Sequence, residues 1–285
     1  ATFNRMMRRM LKGLTHTDHY VDDILEHTAT WSEHIVELRE VLQKIRDAGL
    51  TIRPTKCFIG YMSMDFVGHT IGDGRVAMEK AKVEKIKNAP KPETKRQVRS
   101  FMGLAGYYRR FIPGFSEVSA PLTDLTKKGL PNRVSWDEPQ QRAFQTLKDL
   151  LTREPILRMP CPEREFILQT DASDDGVGAV LMQEFPDGKF PIAYASKKLL
   201  QREKNYSVIE RECLALVFGV KKFQRYLYGK EFVLQTDHMP LSYLHKCKLE
   251  NGRLMRWALF LQTYRFRLEA IKGKENVGAD YLSRM

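Results

Sequence analysis

The sequence predicts an α/β domain with a five-stranded mixed sheet in its C-terminal part, preceded by an α+β region and a helical region. A repeated phrase is the first observation behind this prediction, because residues 167–171 and 233–237 both form a short apolar run that ends on Thr-Asp. The second observation is the long amphipathic stretch between them, which is typical of a helix that joins two parallel strands by a right-handed crossover. The two copies are therefore predicted to be neighbouring parallel strands.

The aspartates that end these two strands are predicted to lie side by side. Parallel strands have their C-terminal ends at the same edge of a sheet, and open α/β sheets bind ligands at that edge. Asp171 and Asp237 would then place two like charges next to each other, which favours a cation that joins them. The alternative is that each aspartate only starts a turn after its strand, but the duplicated context favours the cation site.

The composition favours a polyanionic partner. The chain has 285 residues, enough for two or three domains, and its formal net charge of +12 predicts binding to nucleic acid or to an anionic membrane surface. No apolar run approaches the length of a membrane span, and residues 1–14 lack the apolar core of a secretory signal. The cysteines have neither metal-ligand spacing nor the density of a disulfide framework, which favours a reducing compartment. They are Cys57, Cys161, Cys213 and Cys247.

The first predicted element is a helix over residues 2–14. Its apolar side chains recur at helical spacing and its cations fall largely on the other side, so the cations either form a solvated face or bind nucleic acid. Adjacent carboxylates then interrupt a β-like run, which predicts a tight turn that carries Asp22 and Asp23 between two strands; an ordinary hairpin turn has the same pattern. A helix over residues 33–48 follows, and Gly49 ends it.

Two short strands and a helix are predicted next. The strands lie within residues 50–72, and three of their side chains are candidates for burial: Phe66, Val67 and Ile71. The helix opens at Thr94, because Thr94 and Gln97 have the spacing of a capping box, and its inward side is Val98, Phe101 and Ala105. Gly103 and Gly106 weaken a helix unless something approaches closely there, either a nucleic-acid backbone or a second helix.

A linker over residues 126–136 is predicted to precede the α/β domain, and a helix capped by residues 135–138 runs from it to about residue 151. The apolar side of that helix is Phe144, Leu147, Leu150 and Leu151. From residue 160 onward the predicted order is three strands, a helix, a strand, two helical segments, a strand and a last helix. The ranges are, in that order, 166–170, 178–183, 190–196, 208–227, 232–236, 241–245, 254–261, 264–271 and a helix from 277.

Four stretches in the first 130 residues match motifs of one known family. They are Tyr20-Val21-Asp22-Asp23, residues 48–57, residues 66–69 and the run over residues 98–113, which is the most specific. With these motifs the region resembles the C-terminal half of the polymerase region of gypsy-type LTR retrotransposon reverse transcriptases. The resemblance implies a palm remnant over residues 1–75 and a helical thumb over residues 76–130 that grips a template–primer duplex.

The C-terminal part carries four acidic residues on separate elements. Asp171 and Asp237 end two strands, Glu212 lies on the long helix, and Asp280 lies in Ala279-Asp280-Tyr281-Leu282-Ser283-Arg284. Alone, Glu212 would be interpreted as an exposed helix charge, and Asp280 as an acid that the dipole of a helix start favours. The element order and the final motif resemble the ribonuclease H of the same family. The resemblance implies a connecting helix and linker over residues 131–160 and a ribonuclease H domain over residues 161–285.

The same resemblance implies two-metal hydrolysis of the RNA strand of RNA–DNA hybrids. Two Mg²⁺ ions can activate a water and stabilise the leaving oxyanion, and carboxylate oxygens are the ligands they prefer. Asp171 would hold both ions, Glu212 and Asp237 the leaving-group side, and Asp280 the water side, with Mn²⁺ as a substitute metal. Glu210 is two residues from Glu212 and cannot share its helix face. Glu212 lies on a helix that is otherwise apolar, and the resemblance, through a Glu followed by x-Leu-Ala, implies that Glu212 is the ligand.

Cations and an aromatic residue of the thumb are the predicted contacts to nucleic acid. Phosphate recognition needs such cations, and the predicted residues are Arg96, Arg99, Tyr107, Arg109 and Arg110. A second set either contacts the phosphates of a DNA strand or forms an ordinary solvated face: Lys197, Lys198, Arg202 and Lys204. The implied partners are an RNA–DNA hybrid and a template–primer duplex, with no membrane, and a dimer or neighbouring parts of a Pol polyprotein are further candidates.

The polymerase site is expected to be incomplete in this stretch. The resemblance implies a third aspartate on a strand before the first helix, so Asp22 and Asp23 would supply only two of three metal ligands. Three hypotheses follow. The chain is an active ribonuclease H with an inactive polymerase remnant, a piece of a complete reverse transcriptase, or a non-catalytic nucleic-acid-binding module derived from a mobile element. The expected location is intracellular, in the cytoplasm, in a virus-like particle or in the nucleus.

Overall fold

The structure is a computed structural model, and it describes residues 2–153, 156–236 and 252–271. The chain divides into two compact units, Ala1–Asp73 and Gly74–Met285. The predicted helical segment at 241–245 and the helix from residue 277 lie outside the described residues. None of the described helices has both the length and the apolar character needed to cross a bilayer.

The first unit contains two helices and two hairpins. Its elements are α1 Thr2–Met10, β1 Thr17–Tyr20, β2 Asp23–Glu26, α2 Trp31–Asp47, β3 Ser63–Phe66 and β4 His69–Gly72. Strands β1 and β2 pair antiparallel around a two-residue turn, and β3 pairs antiparallel with β4. The predicted hairpin that carries Asp22 and Asp23 is present. Helix α2 begins at a capping box, in which Thr30 Oγ1 accepts from Glu33 N and Glu33 Oε2 accepts from Thr30 N.

Polar contacts fasten the β1–β2 hairpin to α2. Glu37 Oε1 accepts hydrogen bonds from His16 N at 3.0 Å and from Thr17 Oγ1 at 2.8 Å. On the other strand, Glu26 forms a 2.6 Å contact with His34 Nδ1. Burial raises the pKa of Glu26 above its ordinary range, although His34 acts in the opposite direction. The polar residues of these strands therefore have specific partners on the helix.

The first half of the second unit is mostly helical. Its elements are β5 Arg75–Met78, α3 Lys80–Lys87, α4 Lys95–Tyr107, α5 Phe115–Val118, α6 Ala120–Asp124, α7 Glu138–Thr152 and β6 Leu157–Arg158. Helix α4 begins at the predicted capping box of Thr94 and Gln97. The side chains predicted to face inward, Val98, Phe101 and Ala105, are buried. The sequence did not predict that β5 pairs antiparallel with β6.

The segment predicted to be a linker is fastened to the start of α4. The buried ammonium of Lys95 donates to Lys127 O at 2.8 Å and to Leu130 O at 2.6 Å. Two backbone bonds, Lys95 N to Asn132 O and Val134 N to Glu93 O, hold the same loop. The loop is therefore an ordered part of this unit.

The second half of the second unit is the predicted α/β fold. Its elements are β7 Phe166–Ala172, β8 Gly176–Phe185, β9 Gly188–Lys198, α8 Gln201–Lys204, α9 Val208–Lys222, α10 Gln224–Leu227, β10 Glu231–Thr236, α11 Gly252–Leu261 and β11 Arg265–Ala270. The sheet order is β11-β10-β7-β8-β9. Strands β11, β10 and β7 are parallel to one another, and β8 and β9 are antiparallel to their neighbours. The predicted five-stranded mixed sheet is confirmed.

The two copies of the repeated phrase lie side by side in register. Strands β7 and β10 are adjacent and parallel, and Leu168 is paired with Leu234 and Gln169 with Gln235. The amide of Gln169 donates to Gln235 Oε1 at 2.8 Å, and the amide of Gln235 donates to Glu269 Oε2 on β11 at 2.9 Å. A row of polar side chains thus crosses three parallel strands.

Helix α9 packs closely on the centre of this sheet. A Cβ added to Gly219 would lie 3.0 Å from Thr170 Cγ2 and 3.2 Å from Ala179 Cβ, so the helix and the sheet approach at a glycine. The core beneath it includes Leu168, Leu181, Ile192, Leu216, Val220, Phe232 and Leu234. The predicted single helix over 208–227 is wrong in detail, because α9 ends at Lys222 and a short helix, α10, follows Phe223. Helix α9 is therefore held closely against the sheet.

Candidate active site

The predicted acid at the end of the first copy of the phrase is buried. Asp171 lies near the end of β7 with only 4% of its surface exposed. Across the sheet it is opposite Gly178 on β8, which in turn is opposite Ser196 on β9. Burying a carboxylate is costly unless it is compensated, so this position is unusual for an aspartate that only starts a turn.

The structure separates Glu212 from Glu210 on α9. Glu212 is 3% exposed, whereas Glu210 forms a 2.8 Å ion pair with Arg253 and takes part in the capping box with Ser207. The interpretation of Glu212 as an exposed helix charge is therefore wrong. Of the two acids, Glu212 is the one that the fold buries against the sheet.

Asp171 and Glu212 belong to the same neighbourhood. Arg211, the residue before Glu212, donates to Ser173 O at 3.3 Å and forms an ion pair with Asp174, just after the end of β7. Apolar side chains join the same two elements, because Ala172 packs against the cluster that contains Leu214 and Ala215. The start of α9 therefore lies against the end of the strand that carries Asp171.

The other two predicted acids, Asp237 and Asp280, lie outside the described residues. Strand β10 is described to Thr236, and its register with β7 runs through Gln235 and Gln169. Within the described ranges no group of three or more His, Cys, Asp or Glu side chains could hold a metal ion. The structure thus places two of the four predicted ligands.

The two acids that the structure places have the chemistry of a divalent-metal site. Both are carboxylates, which are hard oxygen donors of the kind that Mg²⁺ binds. Both are almost fully buried, and Arg211, the residue before Glu212, is paired with Asp174. A bound cation would offset the cost of burying two carboxylates. Asp171 and Glu212 therefore fit the metal site that the resemblance implies.

The aspartates of the first unit have different surroundings. Asp22 lies in the turn of the β1–β2 hairpin, Asp23 is the first residue of β2, and both are exposed. Val21 in the same turn has φ 58°, a region of the backbone that β-branched residues rarely adopt. The turn thus presents two carboxylates outward on a strained backbone.

The predicted nucleic-acid contacts are largely exposed. Arg96, Arg99, Tyr107 and Arg109 are exposed, and Arg99 also donates to Thr126 O at 3.2 Å. Arg110 is half-buried, with its guanidinium 5.6 Å from the centre of the Phe111 ring. The set therefore shares one segment, from α4 to the short 3-10 turn Arg109–Phe111, and this segment offers cations to solvent.

The glycines of α4 have room around them within the described residues. A Cβ on Gly103 would meet no atom within 4 Å, and one on Gly106 would meet only Phe115 Cζ at 3.8 Å. No second helix in the described part of the chain approaches closely at Gly103. Packing of a helix of this unit therefore does not explain that glycine.

Three of the four cations at the end of β9 and in α8 are held by carboxylates. Lys197 bonds both oxygens of Glu203, Lys198 is 3.6 Å from Asp124, and Lys204 pairs with Asp175. Arg202 is exposed. For the three lysines the structure favours an intramolecular role.

The sequence did not point to Glu117, which the structure places beside the turn after Asp171. Its Oε1 accepts from Ser173 Oγ at 3.0 Å, over a separation of 56 residues. Burial raises the pKa of Glu117; the Ser173 hydrogen bond opposes this effect, and the charges of Asp175 and Asp171 add to it. Only the tertiary fold brings these residues together, and no local motif could have indicated it.

Two protein families match separate parts of the chain. The family described as "Reverse transcriptase (RNA-dependent DNA polymerase)" matches residues 1–71, and the one described as "RNase H-like domain found in reverse transcriptase" matches residues 161–264. The Pol polyprotein from transposon 297 of Drosophila melanogaster is 39% identical over the whole chain, and that from transposon 412 is 35% identical. The Tf2-3 polyprotein of Schizosaccharomyces pombe is 36% identical over 95% of the chain.

The chain spans about a quarter of the length of these relatives, 27%, 23% and 21% respectively. Among solved structures, a foamy viral protease–reverse transcriptase in complex with double-stranded DNA matches with a TM-score of 0.85 and 24% identity, over 95% of this chain and 48% of that one. The same viral enzyme in complex with an RNA/DNA hybrid matches with a TM-score of 0.84 and 23% identity, over 100% of this chain and 39% of that one. At this identity the likeness concerns the fold.

Proposed function

Because the chain belongs to the retrotransposon reverse transcriptases that carry a ribonuclease H-like domain, we propose that its α/β domain hydrolyses the RNA strand of RNA–DNA hybrids. The observation that carries this proposal is the burial of Asp171 and Glu212 where the end of β7 meets the start of α9. The parallel register of β10 with β7 supports the inclusion of Asp237, the next residue after the described strand.

The residues proposed to hold the metal are Asp171, Glu212, Asp237 and Asp280. Mg²⁺, for which Mn²⁺ would substitute, would supply an activated water and stabilise the leaving oxyanion when bound. The chain contributes rigid placement, because Asp171 lies on a central strand and Glu212 on the helix that packs over it. Fixed ligands need no rearrangement during the reaction, which lowers its barrier.

The proposed nucleic-acid interface is the exposed segment of α4 and the turn after it. Arg96, Arg99, Arg109 and Arg110 would contact phosphates and Tyr107 a sugar or base, in keeping with the net charge of +12. An RNA–DNA hybrid and a template–primer duplex are the proposed partners, and the proposed location is inside the cell. We expect affinity for either duplex to fall steeply as salt is raised, because phosphate contacts release counterions.

The polymerase function is proposed to need a part that these 285 residues do not supply. Asp22 and Asp23 would provide two carboxylates of a two-metal site that needs a third. We therefore expect no primer extension by this chain alone with a DNA primer on an RNA template, Mg²⁺ and deoxynucleotides. Measurable extension would show that the two aspartates suffice.

The test of the nuclease proposal is cleavage of a labelled RNA–DNA hybrid by the whole chain in Mg²⁺. We expect cleavage of the RNA strand, its loss with EDTA, and its loss in Asp171→Asn with hybrid binding retained. Asp149→Asn is the matched control, since Asp149 is exposed on α7 and its carboxylate accepts from Gln145 on the same helix. A native chain that binds the hybrid without cutting it would favour a non-catalytic binding module.

A further inference from the structure

The turn that follows Asp171 is built around one hydroxyl. Ser173 Oγ accepts hydrogen bonds from Gly176 N at 3.0 Å and from Asp175 N at 3.3 Å. The backbone closes the same turn, because Ser173 N donates to Gly176 O at 2.9 Å. The position of Ser173 therefore sets the path of the chain directly after the predicted metal ligand.

Two side chains from outside β7 and β8 hold this turn. Arg211, next to Glu212 on α9, donates to Ser173 O at 3.3 Å. Glu117 of α5, which precedes the turn in the sequence, accepts a hydrogen bond from Ser173 Oγ at 3.0 Å. The turn between β7 and β8 is thus fixed by α9 on one side and by a segment upstream of the α/β fold on the other.

The fit of Glu117 against the turn is tight. A Cβ added to Gly176 would lie 2.8 Å from Glu117 Oε1 and 3.2 Å from Lys197 O, so a side chain there would displace the carboxylate. The neighbouring residue of α5 also contacts the sheet: Ser116 N donates to Ser196 Oγ on β9 at 2.9 Å. Ser196 is in the row that runs through Gly178 to Asp171. Helix α5 therefore docks on the sheet at the level of Asp171.

From these contacts we propose that Glu117 is a positioning residue for the nuclease site. Through Ser173 it fixes the turn after Asp171, so that a residue of the thumb region, outside the ribonuclease H-like fold, completes the support of the site. The role rests on the proposed hybrid cleavage. Glu117 acts on the reaction only through the placement of Asp171, and it is not itself a metal ligand or an acid or base in the reaction.

The test compares Glu117→Ala with Glu117→Gln in the whole chain. A glutamine keeps the acceptor at position 117 for Ser173 Oγ, whereas alanine removes it and leaves Gly176 O, at 3.2 Å, as the acceptor of the hydroxyl. We expect the alanine variant to exchange the amide hydrogens of Asp175 and Gly176 about tenfold faster without any metal present, the size expected for the loss of one such bond. With hybrid and Mg²⁺, we expect its kcat to fall about tenfold with KM unchanged, because the hybrid still binds. The glutamine variant should keep both properties within about twofold of the native chain.

Two further variants sharpen the test. Glu138→Ala is the matched control, because Glu138 is 81% exposed and pairs with Arg142 on its own helix; it should change neither quantity. Gly176→Ala should reproduce the loss in kcat by displacing the carboxylate, and it should cost less in the Glu117→Ala background than in the native one.

The outcomes separate this role from the proposed function. Unchanged exchange and unchanged kcat in Glu117→Ala would overturn the positioning role while hybrid cleavage stands. Faster exchange with an unchanged kcat would also overturn it, since the contact would then stabilise the turn without serving the reaction. A native chain that cuts no hybrid would overturn the proposed function and, with it, this role, whatever the exchange rates.

Discussion

The chain carries two acidic pairs in opposite surroundings. Asp22 and Asp23 are exposed on a two-stranded hairpin whose inner side chains are at most half-buried. Asp171 and Glu212 are 4% and 3% exposed, on a central strand of a five-stranded sheet and on the helix that covers it. Of these two pairs, the fold thus bears the cost of burial only for Asp171 and Glu212.

This difference shows how much each region can tell about function. An exposed aspartate in a turn costs nothing and is found in many hairpins, so the first pair is informative mainly through the motif around it. A buried carboxylate is retained against its desolvation cost, and a rigid sheet also fixes where it points. The second pair is therefore the stronger structural indication of a site. The following variants test that contrast, beginning with the largest expected effect.

Exchanging Glu212 for glutamine tests whether the buried acid is the functional one. We expect Glu212→Gln to lower the rate of hybrid cleavage by at least about 100-fold, because the proposed metal ligand would lose its charge. The neighbouring variant Glu210→Gln should retain cleavage, since Glu210 is held in a cap with Ser207 and in an ion pair with Arg253. Initial rates with a labelled hybrid measure both. Equal losses of cleavage rate in the two variants would show that Glu212 is no more important for the reaction than Glu210.

Truncation of one core side chain in each region should show the difference in rigidity. Leu168→Ala removes a fully buried side chain from β7 and should lower the free energy of unfolding by about 3 kcal/mol. Ile24→Ala on β2 removes a half-buried one and should cost about 1 kcal/mol. Urea denaturation followed by circular dichroism measures both, with Leu259→Ala, at an exposed position of α11, as the control. A larger loss in Ile24→Ala would contradict the contrast.

The pH dependence of stability should have opposite signs in the two regions. In the α/β domain, burial of Glu203 is outweighed by hydrogen bonds from Leu200 N and the Lys197 ammonium, which lower its pKa below the ordinary 4.5. Its contribution to stability is therefore present above pH 4.5 and is lost as the pH falls through the lowered pKa. Glu203→Gln should cost about 2 kcal/mol at pH 7 and less at pH 3, by urea denaturation at each pH.

In the first unit the sign is reversed at Glu26. Burial raises the pKa of this carboxyl above the ordinary 4.5, so its contribution to stability is present below 4.5 and is lost as the pH rises through the raised pKa. The native chain should therefore become less stable relative to Glu26→Gln as the pH rises. Parallel pH profiles for Glu26→Gln and Glu203→Gln would show that the two surroundings do not differ as described.

The smallest effect is expected at the strained turn of the hairpin. Val21 has φ 58°, and a valine held there costs more than the extra backbone entropy of a glycine. Val21→Gly should stabilise the first unit by about 1 kcal/mol, whereas Val21→Ala keeps a Cβ and should gain less. Hydrogen exchange of the β1 and β2 amides measures the change. Slower exchange in the alanine variant than in the glycine variant would argue against backbone strain.

The sequence was sufficient to predict those parts of the fold that depend on a repeated pattern or on a single local motif. The repeated Thr-Asp phrase predicted that β7 and β10 are parallel neighbours, and the structure aligns them residue by residue. The spacing of Thr94 and Gln97 predicted the start of α4. The comparisons confirm the family, while the roles of the individual site residues stay predictions.

Individual polar contacts between residues far apart in the sequence could not be predicted, because no local sequence pattern indicates them. The carbonyl groups that hold the Lys95 ammonium belong to residues 127 and 130, and any residue type offers a carbonyl group. The bond between Ser173 and Glu117 joins two regions that each look ordinary alone. The polar residues at the start of β1 have their partner on α2, because Glu37 accepts hydrogen bonds from His16 N and Thr17 Oγ1.

The hydrogen bonds from Gln169 to Gln235 and from Gln235 to Glu269 specify the register of the three parallel strands. Apolar side chains alone tolerate a strand that slides by two residues, since the same face stays inward. Such a slide would move the end of β10 about 7 Å along the sheet. It would also leave a buried side-chain amide without its hydrogen-bond partner. The buried glutamines thus fix the register of the two strands whose ends carry the aspartates proposed to bind one ion.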